Sequence, residues 1–164
     1  MVLPAVADLM AAVAVIGCGN TNRRDDGAGP AVIACLRAAG GNGAEVGLYD
    51  AGTDGMAVLY AARGCRRLIV VDAARSGAEP GAVFEVPGEV LAAPHRPGIT
   101  LHDFRWDHAL YAGRRIYGAD FPAEVTVLLI EAGDLDFGIG LTAPVAAAVD
   151  KVAARIRDLT GATP

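Results

Sequence analysis

The chain alternates short apolar runs with longer stretches of helical spacing, and glycine, proline or an acid marks each change of period. Val13–Ile16 is apolar and β-branched, ends at Gly17 and predicts a buried strand. The polar loop Asn20–Asp26 follows, then Gly27–Pro30, where Pro30 suits a first helical turn. Apolar spacing carries that helix over Ala31–Ala39 until Gly40 and Gly41 stop it. Val46–Tyr49 reads as a second strand closed by an Asp50–Thr53 turn, Gly55–Arg63 as a helix, and Leu68–Val71 as a strand buried on both faces. Ala82–Val86 alternates in the manner of an edge strand. The stretch Pro87–Gly98, broken by proline and glycine, predicts a loop. Asp103–Arg115 predicts a helix, Val125–Ile130 a strand and Pro144–Leu159 a terminal helix.

Strand–helix alternation of this kind implies parallel pairing with helices on both faces. The expectation is one α/β domain over residues 1–164, a three-layer α/β/α sandwich around a twisted, mostly parallel sheet of about five strands. Residues 1–9 precede the first strand and read as a dispensable extension or a consequence of start-site choice, with Met10 next in line.

Composition narrows the picture. Hydrophobic residues make up 53% and aromatics only 5%, so the core is expected to be small and aliphatic, as packed layers require. A net charge of −5 provides no basic footprint for nucleic acid or for an anionic membrane. Cys18, Cys35 and Cys65 are odd in number and far apart, which argues against a disulfide framework or a thiolate zinc site and for a reducing, cytoplasmic setting. Met1–Ile16 lacks a basic n-region and Asp8 interrupts it, so no signal peptide is expected. No run reaches the roughly 18 apolar residues of a membrane helix.

In an open α/β sheet the ligand site lies outside the carboxyl ends of the strands. Three polar positions fall there: the loop with Asp25 and Asp26, then Asp50, then Asp72. Carboxylates gathered at one edge repel each other and favour a cation among them. Each also has a structural reading. Asp25 or Asp26 suits a cap for the following helix, Asp72 suits an Asx-type loop bond, and Asp50 before Ala-Gly-Thr suits a turn. Of the imidazoles, His95 lies in a proline-flanked loop, His102 where loop gives way to helix, and His108 on the helix itself; His102 and His108 would point to different faces of it. Gly17-Cys-Gly19 opens like a dinucleotide fingerprint, but the next glycine is Gly27, and two acids precede it where a pyrophosphate would sit.

Taken in order, these segments resemble the [NiFe]-hydrogenase maturation proteases over nearly the whole chain. Ile16–Asn20 with Arg24–Pro30 is similar to the family's G-x-G-N strand end and D-[DE]-x-x-G helix start. Asp50–Gly55 is similar to D-x-G-T-x-G, Leu68–Ala73 to the central strand and its acid, Ser76–Gly81 to the S-G-x-x-P-G turn, and Ile139–Val145 to I-G-L-[ST]-P-x-V. The resemblance implies a phosphorylase/hydrolase-like fold and an endopeptidase that removes a C-terminal extension from a hydrogenase large-subunit precursor after nickel insertion. It assigns the metal-contacting and catalytic roles to Asp26, Asp72 and His102, with His95 or His108 as competitors for the third. The nickel belongs to the precursor, and another divalent ion can take its place in a crystal. Two carboxylates and one imidazole leave coordination positions open for the precursor's own ligands. The segment Asp103–Asp120, with Phe104–His108, departs from the family pattern. The competing readings are a nickel-loading sensor or chaperone that does not cut, and a nucleotide-binding α/β domain. No cysteine is expected to act as nucleophile, since none has a histidine near it in sequence.

Overall fold

In the computed structural model, which describes residues 11–95 and 103–161, the first apolar run becomes strand β1 (Val13–Cys18). A single tight helical turn, Arg24–Gly27, leads into helix α1 (Ala28–Ala39). Then come β2 (Val46–Gly52), α2 (Gly55–Ala62), β3 (Arg67–Ala74), β4 (Val83–Pro87), the short α3 (Gly88–Leu91), α4 (Trp106–Tyr117), β5 (Glu124–Glu131) and α5 (Ala143–Thr160). The strands form one five-stranded sheet in the order β2-β1-β3-β5-β4. β2, β1, β3 and β5 run parallel, and β4 closes one edge antiparallel to β5.

Period-two alternation divides the core into two layers. Ala14, Ile16, Leu68, Val70 and Val127 face α2 and α4, where they meet Val58, Leu59, Ala109 and Leu110. Val15, Ile69, Val71, Leu128 and Ile130 face α1 and α5, where they meet Val32, Ile33, Leu36, Val145, Val149 and Val152. Helix α5 presents Val145, Ala148, Val149, Val152, Ala153 and Ile156 to the sheet, an i, i+3, i+4, i+7 stripe, while its other face is exposed. The expected α/β/α sandwich is what forms.

Several boundaries differ from the sequence expectation. Both β2 and β3 continue past the acids that seemed to end them, because backbone pairing does not require an apolar side chain. Asp72, Ala73 and Ala74 stay in register with Leu129, Ile130 and Glu131. Helix α4 begins at Trp106 and not at Asp103, since Arg105 is extended (φ −98°, ψ 177°) and the Phe104 carbonyl is taken by the Gly55 N–H at 3.1 Å. Part of the stretch read as loop forms α3. Strand β1 and helix α1 approach so closely that a Cβ on Gly17 would lie 2.4 Å from the Gly29 carbonyl oxygen, and one on Gly29 would lie 2.2 Å from that of Cys18. Only glycine fits either side of that contact. Among the described residues no helix is long and apolar enough to cross a membrane.

Candidate functional site

Strands β1 and β3 are neighbours, yet the chain leaves β1 towards β2 and β3 towards the other edge, so the two departing segments part above the sheet. Such a switch point opens a crevice. Here it holds a cleft of about 230 Å³ with Asp26 and Asp72 on its wall beside Cys18, Thr53, Arg105 and Trp106.

Asp72 is 3% exposed. Its Oδ1 accepts the Ala73 N–H at 2.8 Å, and its Oδ2 accepts the Trp106 indole N–H at 2.7 Å and an Arg105 guanidinium N–H at 3.3 Å. Burial pushes its carboxyl up to about 6, with the Asp26 charge adding to the rise and the Trp106, Arg105 and Ala73 contacts opposing it. Asp26 is half-buried, and its Oδ2 accepts the Asn20 N–H at 2.9 Å, which folds the loop after β1 back over the strand end.

The neighbouring Asp25 points elsewhere. Its carboxylate accepts the backbone N–H groups of Gly133, Asp134 and Thr142 at 2.8, 2.9 and 2.7 Å, and the Thr142 hydroxyl. Thr142 immediately precedes α5, so Asp25 caps that distant helix through space and not the α1 that follows it in sequence. Burial alone would raise the Asp25 carboxyl, but these four donors outweigh it and hold it below the usual carboxylate range. Glu131 behaves alike: the hydroxyl and N–H of Ser76 and the N–H of Gly77 overcome the effect of burial and fix it as an anion beneath the 76–81 turn. Asp50 forms the turn expected of it, accepting the Gly52 N–H at 3.0 Å.

His102 lies outside the described residues. Its two competitors are away from the cleft wall. The His95 ring stacks edge-on against Phe104 and His108 at 5.3 and 5.0 Å, and His108 Nδ1 accepts the Arg105 N–H at 3.1 Å, a bond that starts α4. Among the described residues no three His, Cys, Asp or Glu side chains gather closely enough to hold a metal ion by themselves. Burial and then the Asp72 charge push the Cys18 thiol well above its ordinary value, and burial pushes Cys65 up to about 11, so both are protonated near neutrality and poor nucleophiles.

Arg105 and Trp106 are the cleft residues that sequence reasoning did not assign. The available signal was that the only tryptophan in the chain stands in the segment where the family pattern breaks.

A family model for hydrogenase maturation proteases matches residues 30–159, a span that contains Asp72 and begins just after Asp26. The hydrogenase expression/formation protein HupD of Rhizobium leguminosarum bv. viciae is 30% identical over 135 residues, which cover 81% of this chain and 66% of that protein. The chain thus spans just under two thirds of that relative's length. In three dimensions the hydrogenase maturating endopeptidase HybD from E. coli superposes over 90% of each chain with a TM-score of 0.72 at 22% identity. The [NiFe] hydrogenase maturation protease HybD from Thermococcus kodakarensis superposes over 90% of this chain and 98% of its own, with a TM-score of 0.71 at 26% identity.

Proposed function

We propose that this chain, which belongs to the hydrogenase maturation protease family of endopeptidases, removes a C-terminal extension from a [NiFe]-hydrogenase large-subunit precursor and recognises the nickel already seated there. The observation that carries the reading is the pair of carboxylates, Asp26 from the turn after β1 and Asp72 from within β3, brought to one cleft, with Asp72 held near 6 by burial. A buried acid of that kind is costly as a bare anion and gains most when a cation arrives.

In this reading the nickel is part of the substrate. Asp26 and Asp72 offer it oxygen ligands, His102 offers a nitrogen, and the incomplete set leaves the precursor's own ligands in place. Binding energy from that shared metal aligns the scissile peptide against the cleft, so loss of the metal damages cutting and not merely docking. Trp106 holds the Asp72 carboxylate in one orientation, and the Asn20 N–H does the same for Asp26. The reducing setting expected from the cysteines suits a nickel site still under assembly.

The test is incubation of the purified protein with nickel-loaded and nickel-free precursor, followed by intact-mass measurement. Only the loaded form is expected to lose its C-terminal segment. Equal trimming of both forms would remove nickel from the mechanism, and tight binding of the loaded form without trimming would point to a loading sensor.

A further inference from the structure

The geometry points to Arg105 as a displaceable counter-ion, a specificity residue that keeps the Oδ2 of Asp72 closed to free divalent cations and yields it to a cation presented by the precursor. The inference rests on the reading that Asp26 and Asp72 receive that cation.

Two donors share Asp72 Oδ2, and they are unlike. The Trp106 indole N–H is short at 2.7 Å and belongs to a ring only 8% exposed, packed in the core between the sheet and α4. The Arg105 contact is longer at 3.3 Å, and its side chain is 64% exposed against 5% for the carboxylate it meets. A carboxylate oxygen has about two lone-pair sites, so Oδ2 is filled by this pair. A cation that needs Oδ2 must displace one of the two donors. The half-exposed ion pair is the weaker, because solvent competes for the guanidinium and screens its charge.

The backbone around Arg105 is built so that the side chain can leave alone. The Arg105 N–H is held by His108 Nδ1, its carbonyl accepts the Ala109 N–H at 3.0 Å, and the preceding Phe104 carbonyl is bound by Gly55 at the start of α2. Departure of the guanidinium therefore moves neither α4 nor Trp106. Among the described residues lining the cleft, Arg105 supplies the basic side chain. A free cation entering must overcome that positive charge with the chain's own ligands alone. A cation carried by the precursor arrives with a protein surface whose contacts offset the displacement. Discrimination then comes from a built-in repulsion, not only from attraction to the right partner.

Nickel sulfate titrated into the purified, precursor-free chain tests this, followed by calorimetry and by quenching of Trp106, the chain's only tryptophan. Arg105→Gln should bind free nickel about tenfold more tightly than the unsubstituted chain, the change expected when a like charge is removed from a metal's neighbourhood. Arg105→Lys, which keeps the charge, should stay within about threefold. Asp72→Asn should abolish binding in either background. A merely structural role for Arg105 would leave nickel affinity unchanged or lower it in the Gln variant, and either result overturns the inference. The titration contains no precursor, so the two readings fail separately. If Arg105→Gln does not tighten nickel while the unsubstituted chain still cuts only loaded precursor, the counter-ion role falls and the proposed function stands. If Arg105→Gln tightens nickel but loaded and nickel-free precursor are cut equally, the reverse holds.

Discussion

Asp25 and Asp72 are both buried aspartates near the same edge of one sheet, yet one is held below the usual carboxylate range and the other is pushed to about 6. The difference lies in the donors. Asp25 collects three backbone N–H groups and a hydroxyl, all from a loop that exists to receive it. Asp72 has one backbone N–H, an indole and a long contact to an exposed guanidinium, and it faces the charge of Asp26 across the cleft. Burial alone does not decide what a carboxylate does. A saturated acid is a fastener, and an undersupplied one is available for chemistry.

The largest effect expected from breaking this contrast is on cleavage. Asp72→Asn and Asp26→Asn should each lower the rate of precursor trimming by at least about a thousandfold if the proposed function holds, since each removes a carboxylate from the cleft assigned to the nickel. Melting should shift little in Asp26→Asn, whose side chain is half-buried and bonded to one loop N–H. Time-resolved intact-mass measurement and thermal denaturation separate the two effects.

Asp25→Ala should do the opposite. It strands three backbone donors beside α5, for a loss of about 3 kcal/mol and a melting temperature lower by roughly 6–12 °C. Trimming of loaded precursor should survive at temperatures where the variant is folded. The sign with pH follows from the depressed carboxyl: its stabilisation is present above the ordinary carboxylate range and is lost as pH falls through the lower value it has in the folded chain. Wild-type and variant melting curves should therefore converge in acid.

Asp25 also shows where sequence reading ran out. The apolar runs disclosed the strands and the sandwich, because period and turn chemistry are local properties. The two adjacent acids could not be told apart locally, and the resemblance alone favoured Asp26. What separates them is a set of bonds to residues 133, 134 and 142, which no pattern near residue 25 announces. The run to Val71 similarly hid that β3 carries Asp72 inside the sheet, since its continuation is written in the register with β5. Arg105 stayed unassigned because its partner is 33 residues away.

A smaller effect should be visible in Trp106 fluorescence. With its indole on Asp72, emission of the precursor-free chain should titrate with a midpoint near 6, and the midpoint should fall in Asp26→Asn because the Asp26 charge contributes to the rise. For Asp72 the linkage runs opposite to Asp25: its contribution to stability is full below the ordinary carboxylate range and is lost as pH rises through about 6. A midpoint near 4 would show that burial does not perturb this acid. The smallest change should come from the cysteines. Replacing Cys18, Cys35 and Cys65 by Ala, singly or together, should alter trimming by less than about twofold, because Cys18 and Cys65 are buried, protonated thiols and Cys35 lies outside the cleft lining.

The contact between Gly17 and Gly29 gives the loop that carries Asp26 a fixed datum. A loop positioned by side-chain packing shifts when the core beneath it is repacked. Here the strand before the loop and the helix after it rest main chain against main chain, with no interchangeable part between them. Exchanges among Val15, Val32 or Val71 can be absorbed elsewhere in the layer without resetting where the loop begins and ends. The tolerance of the fold and the fixity of its working edge are thereby uncoupled, and the uncoupling depends on two positions where a single added carbon has nowhere to go.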